Sequence, residues 1–323
     1  MHPTVLFASP KQGGILQSSG FLDLKSLIAL SRTCKAHALD ELSLIQLLER
    51  QITRNHRVQA VEEAIALWRK VYHNPRFKRW LERDRLEVIT PTYLMLSEAV
   101  CYDVMFGQML RLVPESEHYK LVRQIDRSGM ILLNRAARSG NLESFDAILS
   151  LYPKSDWLQL AKMRDIGEVS TLHCAASSGN CELIRRILDL YPAESTVERL
   201  RAVEMPDKKR RTVLHYAADS GSVECIKTVL ALYPESEWLQ LVSMKDSYGC
   251  NALHHVAGSG NTESCKFIIS LWPEPERLQA VNERDTNGSP VLHHAVNSGN
   301  IDCIKVILDL FPTSQHERLL YLQ

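Results

Sequence analysis

A unit of 39 residues repeats through most of this chain, and that repetition limits the possible folds more than any other feature. A Ser-Gly signature, in most units Ser-Gly-Asn, recurs with its glycine at Gly140, Gly179, Gly221, Gly260 and Gly299. Successive glycines are 39, 42, 39 and 39 residues apart, so one unit carries three extra residues. Prolines keep the same spacing, at Pro114, Pro153, Pro192, Pro234, Pro273 and Pro312. This period predicts a stack of similar modules, each burying its apolar surface against its neighbours.

Each unit reads as two helices joined by the glycine. Around Gly221, Thr212 is positioned to cap the first helix by accepting an amide hydrogen of its first turn. Gly221 favours the left-handed conformation that ends a helix. One face of the first helix carries apolar or small residues, Leu214, Ala217 and Ala218. The second helix carries an apolar stripe at spacings of three and four, formed by Val223, Ile226, Val229 and Leu230.

The first helix of each unit contains a recurring motif with a histidine. It reads Ser-Thr-Leu-His-Cys-Ala-Ala over 170–176 and Thr-Val-Leu-His-Tyr-Ala-Ala over 212–218, and an Asp-x-x-Gly turn precedes it at 246–249 and 285–288. This pattern resembles the Thr-Pro-Leu-His-x-Ala-Ala motif of ankyrin repeats. The resemblance implies an all-α solenoid of repeats with short β-turn fingers and a protein-binding function. It also implies that the histidine links backbone groups of neighbouring fingers.

The units are longer than ordinary ankyrin repeats, which have about 33 residues. The additional residues follow the proline, as in Pro-Lys-Ser-Asp-Trp-Leu-Gln-Leu over 153–160. Proline, a capping serine and acidic residues at a helix start predict a short third helix. The residues that we expect to face inward from it are Trp157, Leu160, Trp238 and Leu241. Long repeats with tryptophan resemble those of ankyrin proteins that intracellular bacteria secrete.

The chain divides into an N-terminal part without repeats and the repeat array. Residues 90–323 hold about six repeats, of which the first and the last are atypical, and residues 51–89 read as a helical linker or cap. Within residues 1–50, Leu-Asp-Leu-Lys-Ser-Leu over 22–27 and Leu-Ser-Arg-Thr-Cys-Lys over 30–35 resemble the F-box. The resemblance implies docking on a Skp-family adaptor of a cullin ubiquitin ligase through Leu22, Leu24, Leu27 and Leu30. Alternatively, these leucines form the core of a plain helical cap.

Composition and charge argue against several classes of protein. Apolar residues make up 45% and charged residues 24% of the chain, as in globular proteins, and the net charge is zero. We therefore expect neither nucleic acid nor membrane as a partner, and the basic run at 208–211 reads as a solvated face. No apolar stretch approaches the roughly 20 residues that cross a bilayer. We expect a cytoplasmic location, which for a bacterial effector means the cytoplasm of the host cell.

The eight cysteines and the repeated histidines form no recognisable metal or catalytic motif. No Cys-x-x-Cys pair occurs, and equivalent histidines of successive units lie about 10 Å apart, too far to share a metal. The thiol–base pair Cys34 and His37 is more simply interpreted as core packing. We therefore predict no metal, no cofactor and no enzymatic activity.

The sequence supports a protein-binding function and leaves its form open. The first hypothesis is a substrate adaptor, in which the array holds a target protein while the F-box-like segment recruits the ligase. The others are a stand-alone ankyrin scaffold and an enzyme with an unrecognised N-terminal site. We predict target contacts on the concave side, at finger and first-helix residues that differ between matching units. These residues are Arg138, Lys209, Arg210, Asp219, Tyr248, Asn287 and Asn297.

Overall fold

The computed structural model describes residue 110 and residues 115–125, 129–192 and 195–311. The chain falls into two compact units, Met1–Gln124 and Ile125–Gln323. In the first, the described part includes the helix Glu115–Val122. The F-box-like segment with Leu22, Leu24, Leu27 and Leu30, the linker 51–89 and the pair Cys34 and His37 lie outside the described residues. So do most of the first predicted repeat and the end of the last.

The second unit is built from helices in a fixed order, which confirms the predicted all-α repeat architecture. The first helices are Leu132–Ser139, Thr171–Ser178, Val213–Asp219, Ala252–Ser259 and Val291–Ser298. The second helices are Leu142–Ser150, Cys181–Leu188, Val223–Leu230, Thr262–Ser270 and Ile301–Leu308. The third helices are Trp157–Lys162, Thr196–Glu204, Glu235–Ser243 and Glu274–Asn282. First helices pack against first helices of the adjacent repeats, and second helices do the same.

The Ser-Gly-Asn signature forms the joint between the first and second helices. Gly179 has φ +74° and Gly260 has φ +73°, the left-handed conformation that ends a helix at low steric cost. The asparagine that follows caps the second helix, since Asn180 Oδ1 accepts hydrogen bonds from the backbone amides of Glu182 and Leu183. Three residues of sequence therefore end one helix and begin the next.

The core between repeats uses the small and apolar residues of the sequence pattern. Leu172, Ala175 and Ala176 are completely buried in one first helix, and their equivalents in the next are also buried. Alanine at these positions lets neighbouring first helices approach closely, because it adds little bulk between the helix axes. Of the apolar stripe predicted for the second helix, Ile226, Val229 and Leu230 are buried, whereas Val223 at the start of the helix is only half-buried.

The predicted third helices are present, but two details differ from the prediction. Leu160 is buried, whereas Trp157, Trp238 and Leu241 are only half-buried. The buried residue of the helix Glu235–Ser243 is Val242, whose equivalent Ala161 is buried too. The half-buried tryptophans act through their indole N–H groups: Trp157 donates to the carbonyl of Tyr152 at 3.2 Å, and Trp238 makes the equivalent bond at 3.1 Å.

The second difference concerns the cap of the third helix. The helix Glu235–Ser243 begins directly after Pro234, so the predicted serine cap, Ser236, lies inside the helix. A serine caps the third helix in the repeat with the three extra residues, where Ser195 accepts from the amide of Glu198. Proline at the start suffices elsewhere, because its fixed φ suits the first turn and its missing N–H needs no partner there.

Candidate functional site

Four turns between repeats, which we call fingers 1 to 4, share one backbone conformation. They comprise residues 165–169, 207–211, 246–250 and 285–289. In finger 2 the carboxylate of Asp207 accepts the backbone N–H groups of Lys209 and Arg211, each at 2.8 Å. Asp246 and Asp285 accept the equivalent pairs of N–H groups in fingers 3 and 4. The aspartate at the first position therefore fixes the shape of each of these fingers from inside.

Backbone hydrogen bonds join the fingers in a row. The amide of Lys208 donates to the carbonyl of Gly167 at 2.9 Å, and that of Ser247 donates to Lys209 at 2.8 Å. The third link runs from the amide of Thr286 to the carbonyl of Tyr248, at 2.8 Å. In each link the second residue of one finger binds the third residue of the preceding finger. The tips are thus held in register by main-chain hydrogen bonds, and the contact of Lys209 with the ring of Tyr248 adds to them between fingers 2 and 3.

Side chains at the third and fourth finger positions differ although the backbone does not. The third position holds Gly167, Lys209, Tyr248 and Asn287 in turn, and the last three are exposed. The fourth position is left-handed in every finger, with glycine in fingers 3 and 4. Fingers 1 and 2 place Glu168 at φ +61° and Arg210 at φ +59° there. Residues other than glycine rarely adopt this conformation, so these two charged side chains are kept at a steric cost.

The repeated histidines link the repeats beneath the fingers, as the sequence predicts. The Nδ1 atom of His215 accepts the amide of Thr212 at 3.1 Å, so Nε2 carries the proton and donates to the carbonyl of Met244 at 3.0 Å. His173 and His254 make the equivalent pairs of bonds. Burial lowers the pKa of each of these three histidines to about 4, which keeps them neutral.

A second set of contacts supports the fingers from the first helices, and it was not predicted. The residue after the motif histidine reaches the aspartate of its own finger, nine positions earlier in the sequence. Tyr216 donates to Asp207 at 2.8 Å, and the rings of His255 and His294 bond to Asp246 and Asp285 at 3.2 and 3.1 Å. The constant separation of nine residues is the sequence signal that could have revealed these pairs.

His255 also reaches the neighbouring repeat. Its Nδ1 lies 2.7 Å from the carboxylate of Asp219, while Nε2 faces Asp246. Burial alone would lower the pKa of His255, but the hydrogen bonds to these two carboxylates raise it to about 9. The ring is therefore an imidazolium near neutral pH, in contrast to the neutral His215 ring 5.3 Å away.

Arg211 extends this network toward finger 2. Its guanidinium contacts Asp207 at 3.1 Å and Asp219 at 3.7 Å, and it donates to the hydroxyl of Tyr216 at 2.6 Å. Asp207 is buried, which opposes ionisation, but its bonds to the Arg211 amide, Tyr216 and the guanidinium hold its pKa below the usual value. Arg211 is thus a structural cation, unlike its exposed neighbours in the basic run.

The comparison with known families agrees with this geometry. The family model described as Ankyrin repeats (3 copies) matches residues 133–240 and 236–316, which together exceed half of the chain. The chain belongs to the ankyrin-repeat family. No curated protein matches it.

The predicted partner residues of the ankyrin array fall into two rows. Lys209, Tyr248 and Asn287 hold the third finger position, and Arg210 stands beside them in finger 2. The second row lies at an equivalent exposed position of the first helices, where the predicted residues are Arg138, Asp219 and Asn297. Ser177 and Gly258, which were not predicted, hold this position in the other two repeats. Asp219 is already engaged by His255 and Arg211. We call these two rows the recognition face.

Within the described ankyrin repeats, one group of side chains of the kinds that bind metal ions lies close together. The ligand atoms of Cys250, Asp285 and His294 lie within 4.8 Å of one another. The contact between His294 and Asp285 is the same finger support that Tyr216 gives to Asp207, so it needs no metal to explain it. Burial, followed by nearby aspartates, raises the pKa of the Cys250 thiol to about 12, which disfavours the thiolate that a metal requires.

Two further observations bear on the functional classes. Burial raises the pKa of the Cys174 thiol to about 11, so this cysteine is a packing residue rather than an activated nucleophile. Among the helices that the structure describes, none is long and apolar enough to cross a membrane.

Proposed function

We propose that this protein is a non-enzymatic adaptor that holds a target protein on the recognition face of its ankyrin array. One observation carries the proposal: fingers of identical backbone conformation, joined by backbone hydrogen bonds, expose different side chains at the same positions. A rigid scaffold with variable tips suits recognition of another protein, because little conformational entropy is lost when the tips bind.

The contacts that we assign to the target are those that the sequence analysis selected. They are Arg138, Lys209, Arg210, Asp219, Tyr248, Asn287 and Asn297. Asp219 binds His255 and Arg211, and Lys209 stacks on Tyr248, so these residues also support their neighbours.

The second part of the proposal concerns the N-terminal segment. An F-box-like segment in residues 1–50 would dock on a Skp-family adaptor through Leu22, Leu24, Leu27 and Leu30, and so bring a cullin ubiquitin ligase to the bound target. Its support is the sequence resemblance alone. A stand-alone ankyrin scaffold would instead use the same leucines only to cover the array.

A co-precipitation experiment separates these two forms of the adaptor. The full chain is mixed with purified Skp-family adaptor, and a variant with Leu24→Glu and Leu27→Glu is tested in parallel. We expect the variant to lose the Skp-family protein while it still captures the target through the array. A scaffold without ligase recruitment would fail to bind the Skp-family protein in either form.

The proposal also includes a cellular setting. The long, tryptophan-containing repeats resemble those of ankyrin proteins secreted by intracellular bacteria, so we propose that the chain acts as an effector in a host cell. A translocation assay with an enzymatic reporter fused to the full chain tests this step. Reporter signal in the host cytoplasm, lost when the secretion system is disabled, is the expected result.

The target-binding face is tested by affinity isolation with the full chain as bait. One variant replaces Arg138, Tyr248 and Asn287 by alanine, and a control variant replaces the second-helix residues Lys227, Lys266 and Lys305. We expect the first variant to lose its specific partners and the control to keep them, with unchanged thermal unfolding of both. Loss of partners only in the control would place the binding face on the second helices instead.

A further inference from the structure

Finger 2 carries an exceptional concentration of exposed positive charge. Lys208, Lys209 and Arg210 follow one another at its tip, and all three are exposed. The tips of fingers 1, 3 and 4 carry no lysine or arginine at the equivalent positions, 166–168, 247–249 and 286–288. At these three positions, positive charge occurs in finger 2 alone of the four fingers, although the exposed Arg284 also reaches the tip of finger 4, where it donates to the carbonyl of Gly288 at 2.8 Å.

Lys208, Lys209 and Arg210 have no acidic partner, unlike the basic residues that border the tips of fingers 2 and 3. Arg211 is held by Asp207 and Asp219, and Lys245 pairs with Glu283 at 3.1 Å. Among the ion pairs of residues 115–125, 129–192 and 195–311, none includes Lys208, Lys209 or Arg210. The charge at the tip is thus available to a partner.

The position of Arg210 is a second observation. The equivalent residues of fingers 3 and 4 are Gly249 and Gly288, which adopt the left-handed conformation without steric cost. Finger 2 places an arginine there at φ +59°. Finger 1 has the same conformation at Glu168, with φ +61°, so both fingers with a charged residue at this position share the strain. Strained residues cluster where a protein contacts a ligand, which supports a binding role for the side chain of Arg210.

An aromatic ring borders the charged tip. Tyr248 of finger 3 is 47% exposed, and the Nζ atom of Lys209 lies 5.4 Å from the centre of its ring. The link from the Ser247 amide to the Lys209 carbonyl holds the two tips side by side. Together Lys208, Lys209, Arg210 and Tyr248 form what we call the basic tip, a preformed surface with three cations and one ring.

We propose that the basic tip binds an acidic segment of the target protein. This inference rests on the proposed function of the array and adds the chemistry of the partner. Aspartate and glutamate side chains complement the lysines, and a carboxylate accepts two parallel hydrogen bonds from an arginine. The ring of Tyr248 offers contact area to the peptide between its charges.

The same charge fits nucleic acid less well. Proteins that bind a duplex through its backbone can contact about 6–10 phosphates. One finger with three cations provides fewer, and the neighbouring tips add Glu168 on one side and uncharged residues on the other. A short acidic peptide segment matches the size of the surface.

The test measures fluorescence anisotropy of a short labelled polyglutamate peptide with the full chain. One variant carries Lys209→Gln and Arg210→Gln, and the matched control carries Lys266→Gln and Lys305→Gln. Both variants lose two positive charges, but Lys266 and Lys305 lie on second helices and pair there with Glu263 and Asp302. We expect the first variant to weaken peptide binding about ten-fold and the control to change it less than about two-fold. The affinity should fall as salt is added.

Three outcomes would overturn the inference. The two variants could weaken binding of the peptide equally, which would show that only the net charge of the protein matters. The wild-type chain could fail to bind the peptide at low salt. A labelled single-stranded oligonucleotide could bind more tightly than the peptide and lose binding in the same variant, which would make the basic tip a nucleic-acid surface.

Failure of this inference is distinguishable from failure of the proposed function. If affinity isolation still depends on Arg138, Tyr248 and Asn287 while Lys209→Gln and Arg210→Gln have no effect, the array binds its target without an acidic segment. The opposite result is that no specific target is captured, while Lys209→Gln and Arg210→Gln still weaken binding of the polyglutamate peptide. This result would support the inference about the basic tip and contradict the proposed adaptor function.

Discussion

The motif histidines and the finger tips lie in the same repeats but differ in sequence variation and in burial. His173, His215 and His254 are the same residue in successive units, are almost completely buried and bond only to backbone or to their own cap residue. The third finger position changes from glycine to lysine to tyrosine to asparagine and is exposed in the last three. The comparison supports our proposal that stability and recognition depend on separate positions of one repeating unit. The predictions below test that separation.

The largest expected effect is the loss of stability in acid. Burial lowers the pKa of each of the three motif histidines from 6.5 to about 4, so the folded state favours their neutral form. Their contribution is complete above pH 6.5 and is lost as the pH falls toward 4. A shift of this size corresponds to at most about 3 kcal/mol for each histidine, and to several kcal/mol for the set.

Urea unfolding at a series of pH values between 7 and 4 checks this prediction. The free energy of unfolding should decrease through this window, before most carboxylates are protonated. Because repeat arrays do not always unfold in one step, thermal unfolding by circular dichroism should be followed as well. A stability that stays constant down to pH 4.5 would show that the histidines are not held neutral by the fold.

Replacing His215 by alanine tests one member of this set. The amide of Thr212 and the carbonyl of Met244 would lose their partner at a buried position, so we expect a loss of about 1–3 kcal/mol. His293 is the matched control, because it is the equivalent residue of the last described repeat but is exposed. His293→Ala should change stability by less than about 0.5 kcal/mol.

The affinity of the folded His215→Ala variant for its target should stay close to that of the wild type. Unchanged thermal unfolding combined with lost binding, or with loss of a bound metal, would instead make this histidine functional. That result would also remove the distinction between the buried framework and the exposed tips.

The raised pKa of His255 predicts a smaller dependence of stability on pH, with the opposite sign. Its pKa is raised from 6.5 to about 9, so the stability it contributes is complete below pH 6.5 and is lost as the pH rises through 9. Because Asp219 is 42% exposed, solvent screening limits the effect to about 1 kcal/mol. Asp219→Asn should reduce this alkaline loss relative to the wild type, as measured by urea unfolding between pH 7 and 10. Identical pH profiles of the two proteins would contradict the assignment.

The smallest expected change in stability concerns Arg210. Arg210→Gly should stabilise the fold by up to about 1 kcal/mol, because glycine adopts the left-handed conformation without a steric cost. The same variant should bind the polyglutamate peptide several-fold more weakly. A gain in stability with no loss of peptide binding would show that the strain at this position serves another purpose.

Much of the fold could be predicted from the sequence, because the residues that determine it recur at equivalent positions of the repeats. The first and second helices, the glycine joints and the third helices all follow from residues that recur at 39-residue spacing. The link made by His215 was expected from the resemblance of its motif to ankyrin repeats. The recurring residues determine the fold, because each repeat packs against similar repeats.

The remaining contacts could not be predicted, because they join different residues of different units. The bond between His255 and Asp219 depends on how one first helix is aligned with the next. The left-handed conformation of Arg210 contradicts the usual preference for glycine and becomes visible only in the backbone. Lys209 and Arg210 were expected to contact a partner, but the stacking of Lys209 on Tyr248 requires the register of two fingers.

The links between fingers use only the amide of one residue and the carbonyl of another, as between Ser247 and Lys209. A substitution at the tip leaves both groups in place unless it introduces proline at the donor. Side chains at the tips can therefore change without loss of these links. During evolution, Lys209 or Tyr248 could be replaced by almost any residue, and the protein could acquire a new partner while the packing of the repeats stays the same. A designer could use the same freedom by varying the third position of all four fingers in a library, while leaving the left-handed fourth position and every buried residue unchanged.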